Sequence, residues 1–288
     1  RYMSRAGYDP NALVGVFQTL GLAMGDAGGV PGWASTHPDP ENREEDIREI
    51  IAASGQDFSE YTRRADEYLR SLDGLTFGLD PREGFFEGAT FFHPDMAFAL
   101  DFPTGWATVN QKTQVGAVSS DGTALVALTV DGSETDAERA LSAFLRESQV
   151  RGRDSRRVSV NGRPAWEASF DADTEEGPLR GAVLFVEHGG AVFRLLGFAS
   201  ASRWSSHRGA VLQSIESFRP VSDPEILGVE PARIEIVRLP SRMTLRQFID
   251  RYPSTVDDDQ IAVINRRTMD ESIAGGTLLK RVAGGRLP

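Results

Sequence analysis

The chain has 288 residues, a formal net charge of -11 at pH 7 and no cysteine, and this length is enough for two or three small domains that each bury a core. The acidic balance argues against proteins that follow a nucleic-acid backbone or bind anionic membrane surfaces, because both need a basic patch. A composition without cysteine excludes disulfides and thiolate ligands, and it fits both the cytoplasm and a bacterial envelope compartment.

The first segment, residues 1–79, has a helical pattern of apolar residues. It opens with "RYMSRAGYDP", which lacks the features of a signal peptide and reads as a helix already in progress. We therefore expect a chain cut from something longer. Asp9 before a proline predicts the N-cap of a helix. Further helices are expected over residues 40–53 and 58–69, behind a glycine-rich loop at 25–35.

The central segment, residues 88–220, changes to the alternating pattern of strands. No apolar run in the sequence approaches the roughly 20 residues of a transmembrane helix, so we expect no span here. The pattern predicts an antiparallel sheet covered by helices. Strands are predicted at 98–106 and 124–130, hairpin turns at Asn161-Gly162 and Gly189-Gly190, and helices at 135–149 and 202–218.

The last segment, residues 231–288, predicts strand, helix, helix and strand in that order. Thr244 is the expected N-cap of the first helix. The acidic run Asp257, Asp258 and Asp259 could bind a hard cation or perform acid–base chemistry. We favour the start of the second helix, because negative charge stabilises a helix N-terminus.

Sequence motifs exclude several kinds of catalytic site. HExxH, GxSxG, the Walker loop and GxGxxG at a strand-to-helix turn are all absent from the sequence. No two of the four histidines have the i, i+4 spacing of a helical metal site. We expect His93, His188 and His207 to be surface residues without chemistry. His37 differs, because in "ASTHPDPENR" it lies among prolines just before a charged helical stretch.

Residues 1–53 resemble the zinc metallopeptidases of the HtpX and BepA type, relatives of the CAAX prenyl protease. In that family a helix with HExxH supplies two zinc ligands and the general base, and a later helix supplies a glutamate ligand. Two linked motifs, in the family's order, carry the resemblance: Tyr2, Met3, Ala6, Gly7, Tyr8, Asp9 and Pro10, then Thr36, His37, Pro38 and Arg43.

The resemblance implies catalytic roles for His37 and Arg43. His37 would lie at the edge of the zinc cleft, near the metal or the oxyanion, and Arg43 would hold nearby carboxylates. Alternatively, His37 anchors its loop and Arg43 pairs with Glu44 or Asp46. Because HExxH and the glutamate ligand are missing, we expect zinc in the complete protein and none in this chain.

Two weaker resemblances concern the other segments. The stretch "FFHPDMAFALDFPTGW" at 91–106, with the helix that closes the segment, resembles the PsbP/Mog1-type α/β sandwich, which implies a fold only. The last segment resembles a LysM module but departs from it at 241–243 and 274–275. It therefore implies a degenerate module for packing or substrate delivery more than for peptidoglycan binding. The matching residues are Thr244, Leu245, Phe248, Asn265, Gly276 and Leu278.

The residue patterns predict a multidomain α+β protein, and the resemblances imply what its segments are. Residues 1–79 are expected to be the helical remnant of a gluzincin metallopeptidase domain, 88–220 an antiparallel α/β sandwich, and 231–288 a βααβ LysM-like module. We predict the C-terminal region of a zinc-dependent envelope metallopeptidase that acts on protein or peptide substrates in quality control, inactive as this chain alone. The alternative is a non-catalytic envelope scaffold that recognises peptidoglycan or a partner protein. Either function predicts a periplasmic or envelope-associated location.

Overall fold

The computed structural model of the protein describes residues 2–24, 40–147 and 149–288. The chain divides into two compact units, one of Arg1–Gly78 with Ala232–Gly285, and one of Leu79–Pro231 with Arg286–Pro288. The second unit contains the predicted central segment, and the first unit contains most of the two outer segments. No described helix is both long and apolar enough to cross a membrane.

The first helices follow the predicted pattern in part. Asp9 accepts a hydrogen bond of 2.9 Å from the backbone N–H of Asn11, which confirms the predicted helix start. The predicted helix at 40–53 is also present, whereas the glycine-rich loop at 25–35 lies outside the described residues. The helices are α1 (Tyr2–Arg5), α2 (Asn11–Met24), α3 (Pro40–Ala53) and α4 (Ala65–Ser71).

The third predicted helix is wrong in its first half. Phe58 is buried and packs edge-to-face on Tyr61, with ring centroids 5.0 Å apart. Thr62 pairs with Tyr8 in a parallel bridge, and Arg64 has a left-handed φ of 44°. The residues before α4 therefore contact the motif around Asp9, and a helix over the predicted range 58–69 would remove these contacts.

The second unit, Leu79–Pro231 with Arg286–Pro288, is named the central unit, and it has an α+β fold with a large antiparallel sheet. After a 3-10 helix, Pro81–Glu83, the elements in chain order are β1 (Phe85–Glu87), β2 (Thr90–His93), β3 (Phe98–Asp101), β4 (Ala107–Gln111), β5 (Gln114–Val118), β6 (Ala124–Asp131), α5 (Ala137–Phe144), β7 (Val150–Val160), β8 (Arg163–Thr174), β9 (Gly177–His188), β10 (Ala191–Ser200), α6 (Trp204–Ile215), β11 (Arg219–Pro220) and α7 (Pro224–Leu227). The larger sheet has strand order β4-β5-β6-β10-β9-β8-β7, and the smaller has β1-β2-β3-β11.

The central strands of the larger sheet are buried on both faces. Along β9, Leu184 and Val186 pack in one cluster with residues of β3 and α6, whereas Val183 and Phe185 pack in another with α5. Because both faces are covered, β9 has a continuous apolar run. Burial of a side chain such as Leu184 stabilises the fold by about 1.5–3 kcal/mol.

Both predicted hairpin turns are confirmed. Asn161-Gly162 and Gly189-Gly190 have positive φ at both residues, as type I′ turns require. The hairpins β1–β2 and β4–β5 were not predicted. All five residues of β4 are exposed, so the strand lacks the alternation by which a half-buried strand is found.

The last segment forms the predicted strand, helix, helix and strand, with two additional short strands. Thr244 and Gln247 form a capping box, and Asp257 caps the next helix through the N–H of Gln260 at 2.7 Å. The acidic run is therefore a helix start, as predicted. The elements are β12 (Arg233–Arg238), β13 (Met243–Thr244), α8 (Leu245–Arg251), α9 (Asp258–Asn265), β14 (Ser272–Ile273) and β15 (Leu278–Ala283), and β12 pairs antiparallel with β15.

Candidate functional site

The structure describes only one of the two candidate catalytic residues. His37 lies outside the described residues. Arg43 lies in α3 and is partly exposed. The neighbouring carboxylate of Glu44 accepts hydrogen bonds from Gln18 at 2.9 Å and Arg48 at 2.7 Å, and no described ion pair joins Arg43 to Glu44 or Asp46. Among the described residues no group of three or more histidines, aspartates and glutamates could hold a metal. The predicted catalytic roles stay predictions.

A cleft of about 450 Å³ lies in the central unit, and we name it the His93 cleft. It is bordered by the 3-10 helix, the β2–β3 turn, the β4–β5 hairpin and β6. Its buried floor is apolar, and its mouth carries charged as well as exposed apolar side chains, a mixture typical of ligand sites. The floor residues are Phe91, Phe98, Val115, Leu128 and Phe193, and the exposed apolar residues at the mouth are Leu79, Met96 and Val130.

His93 is positioned by its hairpin. It ends β2, and its ring stacks on Phe98 at 5.3 Å between centroids. Its Nδ1 accepts a hydrogen bond of 3.3 Å from the N–H of Met96, which leaves the proton of the neutral ring on Nε2. Burial lowers the pKa of His93, and the nearby Asp95 and Glu83 offset this only in part. The imidazole is therefore a neutral donor at pH 7.

His188 lies behind the same turn. Its Nε2 is 2.9 Å from the carbonyl oxygen of Met96, and the side chain packs against Phe193 and Phe218. The prediction of a surface residue is wrong, because His188 is buried with 8% exposure. In β9 it shares the core-facing side with Val186 by the two-residue period of a strand. The backbone of Met96 thus joins two histidines.

His207 also differs from its predicted exposed position. Its side chain is 16% exposed, and Nε2 lies 3.0 Å from Thr123 Oγ1. The ring contacts Trp106 edge-on at 5.8 Å between centroids. These contacts make His207 a packing residue of the central unit.

The mouth of the His93 cleft is mainly acidic. Asp80 caps the 3-10 helix through the N–H of Arg82 at 2.9 Å, and the guanidinium of Arg82 bonds Asp95 at 2.6 Å. The Asp95 carboxylate raises the pKa of Arg82. Glu83 and Lys112 form no ion pair with another described residue. Arg82 therefore neutralises Asp95, and two carboxylates without an ion pair to a described residue, Asp80 and Glu83, remain beside Lys112.

Gly84 fixes one wall of the cleft. Its φ of 115° lies in the region that favours glycine, and a Cβ there would lie 2.2 Å from the Phe91 ring. Its carbonyl accepts a hydrogen bond of 3.0 Å from Asn110 Nδ2. This bond ties β4 to the chain that precedes β1.

The contacts of His93 in the cleft are with the backbone and with aromatic rings. Within the described chain His93 bonds a backbone N–H, and no hydroxyl is positioned by it as a nucleophile. The sequence prediction missed this site, because "FFHPDM" gives no indication that the β4–β5 hairpin lies beside it. In the sequence near His93, only the preceding Phe91–Phe92 pair indicates an apolar site.

Comparisons with known proteins give partial structural likenesses. No protein-family model matches the chain, and no curated protein matches it. The PsbP protein CyanoP from Synechocystis sp. PCC 6803 is similar at 9% identity and a TM-score of 0.39, over 47% of this chain and 95% of that protein. LpqN of Mycobacterium tuberculosis, described as involved in cell envelope biogenesis, is similar at 13% identity and a TM-score of 0.31, over 55% of this chain and 97% of that protein.

A protein from Bacteroides thetaiotaomicron is similar at 14% identity and a TM-score of 0.38, over 70% of this chain and 88% of that protein. Structural neighbours thus include a PsbP-like and an LpqN-type protein. The resemblances to HtpX/BepA-type peptidases and LysM modules stay predictions.

Proposed function

We propose that the chain is a non-catalytic binding protein of the bacterial envelope, and that the His93 cleft takes an apolar group with a positive charge beside it. The observation that carries this proposal is the combination of an apolar floor, a neutral imidazole and an acidic mouth in one cleft of about 450 Å³. Ligand sites commonly have this volume and combination.

Exposed apolar side chains supply the driving force. Leu79 is 87% exposed, Val130 44% and Met96 40%, and covering apolar surface contributes roughly 25 cal/mol per Å². Met96 also adapts easily to ligand shape, because its side chain is unbranched and flexible. Glu83, which has no ion-pair partner among the described residues, then favours a cation at the mouth.

A pair of small probes of opposite charge tests the proposal. Phenethylamine and phenylacetate share the ring and differ in charge, and each is titrated into ¹⁵N-labelled protein. We expect phenethylamine to shift the amides of His93, Met96 and Lys112, and phenylacetate to bind at least about fivefold more weakly, the effect of about 1 kcal/mol. Glu83→Gln should remove this difference. Arg139→Ala, in α5, should leave it unchanged. Equal binding of both probes would contradict the charge preference, and no shift at the cleft would contradict the site.

We also propose that the complete protein, with residues that precede this chain, is a zinc metallopeptidase. Asp9, in the motif that resembles that family, is 2% exposed and bonded to Arg63 and Asn11. These hydrogen bonds hold the motif in a defined conformation, as we would expect for the remnant of a domain. We expect no stoichiometric zinc in this chain by elemental analysis. Zinc binding and peptide hydrolysis should appear once an upstream HExxH helix and glutamate are added, and His37→Ala should then change kcat.

For the LysM-like segment we propose packing in preference to glycan binding. The matching residues Leu245 and Phe248 are fully buried, and Thr244 is used as a helix cap. We expect little sedimentation of the intact chain with purified peptidoglycan sacculi. Glycan binding would be supported if the intact chain sediments strongly with the sacculi and if replacement of an exposed arginine, in Arg246→Ala or Arg242→Ala, abolishes this sedimentation.

A further inference from the structure

The two edges of the seven-stranded sheet differ in how they are protected. At one edge β7 carries Arg151, Arg153, Arg156 and Arg157, and its register with β8 shifts between Arg153 and Arg156. Asp154 in this irregularity has a φ of 53°. Charged side chains and bulges are the usual means by which an edge strand is prevented from pairing with another chain.

The other edge, β4, has none of these features. Its sequence, ATVNQ, contains no charge and no proline, and all five residues are exposed. The strand pairs with β5 in unbroken register and with no other described strand. Its outer backbone N–H and C=O groups are therefore available to a further strand. Such an edge is the structural requirement of β-augmentation.

The open edge continues into the His93 cleft. Asn110 and Gln111, at the end of β4, line the cleft, as does Lys112 in the turn that follows. A strand added beside β4 would span about 17 Å, from a rise of about 3.4 Å per residue. One end of that strand would lie at the mouth of the cleft, where a side chain could enter.

We propose that β4 binds an extended, basic peptide segment of a partner protein by β-augmentation, and that one apolar side chain of this peptide enters the His93 cleft. This inference rests on the proposed function, and it names the ligand and the mode of binding. The main chain of the peptide supplies hydrogen bonds to β4. Its lysine or arginine residues lie near Asp80 and Glu83, the two carboxylates of the mouth that have no ion pair to a described residue.

Charge favours this occupant over a second copy of the chain. The chain has a net charge of -11, and pairing two β4 edges would bring two such acidic chains together. Like charges at an interface oppose association, and opposite charges favour it and speed encounter. A basic peptide therefore complements the surface that a second copy would repel.

Three labelled peptides test the inference by fluorescence anisotropy. The first alternates Val and Thr over about ten residues, with Leu at the centre and Lys at both ends. The second replaces Lys by Glu, and the third is methylated on alternate backbone nitrogens, which removes donors while the side chains remain. We expect the first to bind, and the other two to lose about tenfold or more in affinity, as lost charge and lost main-chain bonds require.

Adjacent proline variants locate the bonds on the protein. In an antiparallel edge strand, neighbouring N–H groups point alternately to the partner strand and away from it. One of Thr108→Pro and Val109→Pro therefore removes an outward N–H and leaves the ladder with β5 intact. That variant should keep its melting temperature and lose peptide binding about tenfold or more. Hydrogen exchange of the unaltered protein gives a second measurement, because outward amides within 107–111 should gain protection on peptide binding.

Several results would overturn the inference. Equal affinity for the methylated peptide, or bound peptide without protection of any β4 amide, would exclude strand addition. If phenethylamine still binds the cleft in that case, the proposed function stands and the mode of binding is wrong. If neither binds, both are wrong. If the protein sediments as a dimer and the outward proline variant as a monomer, the β4 edge binds a second copy of the chain.

Discussion

The carboxylate of Asp9 accepts a hydrogen bond of 2.6 Å from Nε of Arg63, which is 54 positions further along the chain. Asp9 is 2% exposed and also accepts hydrogen bonds from the backbone and side chain of Asn11. Burial raises its pKa, but the hydrogen bonds of Asn11 and Arg63 outweigh burial and hold the pKa below its ordinary value. One carboxylate thus starts α2 and fixes the segment before α4.

Replacement of Asp9 should weaken the unit that contains it. Asp9→Ala removes the helix cap, and we expect a loss of about 1–2 kcal/mol in the free energy of unfolding. Because the folded pKa is lowered, the charge stabilises the fold above the unfolded pKa near 3.8 and this contribution disappears as pH falls through the folded value. Asp9→Asn should therefore flatten the acid limb of stability below about pH 4. Denaturant unfolding at a series of pH values measures both effects, and an unchanged acid limb would contradict them.

His93 should give the central unit a second dependence on pH. Its pKa is lowered by burial, so the unfolded chain binds the proton more readily than the folded chain. Stability from the neutral ring is present above the unfolded value near 6.5 and decreases as pH falls towards the folded pKa. We expect a lower melting temperature at about pH 5 than at about pH 7, and a smaller difference in His93→Gln. NMR titration of the ring should place its pKa below 6.5, and a higher value would contradict the burial.

Gly84 should be needed for the wall of the His93 cleft. In Gly84→Ala the new Cβ would overlap the Phe91 ring at a φ of 115°, so the ring or the turn must move. We expect a loss of about 2 kcal/mol or more in stability and weaker binding of phenethylamine. Gly88→Ala is a matched control, because Gly88 has a φ of 60° with open space around it. It should cost about 1 kcal/mol and leave binding unchanged. Equal effects of the two substitutions would exclude the clash.

Local patterns predicted several of the helices and strands, whereas the cleft depends on long-range contacts. Helix starts at Asp9, Thr244 and Asp257 could be predicted because a cap needs only its own neighbours in sequence. The His93 cleft could not, since it joins a turn after β2 to a hairpin whose first strand is exposed throughout. The buried position of His188 was missed for a related reason. Its place at the end of β9 looked like a hairpin tip, although the strand period put it on the core side.

Asn265 connects two elements of the last segment. Its Oδ1 accepts a hydrogen bond of 2.8 Å from the backbone N–H of Lys280, and its Nδ2 donates to the carbonyls of Lys280 at 2.8 Å and Ile261 at 3.0 Å. The end of α9 is therefore held against β15 by one amide. These bonds give Asn265 a structural role without any glycan.

Asn265→Ala should leave the backbone groups of Lys280 on that side without their partner. We expect a loss of about 1–3 kcal/mol, the usual cost of partly buried hydrogen bonds left unmade. Arg246→Ala is the control, because its ion pair with Asp270 is long, at 3.5 Å, and exposed, and it should change stability by less than about 1 kcal/mol. Urea unfolding of both variants measures the difference. If Asn265→Ala is as stable as Arg246→Ala, the Asn265 amide does not hold β15. The match of Asn265 to the LysM pattern would then need a different explanation, and glycan binding by the folded variant would be measured next.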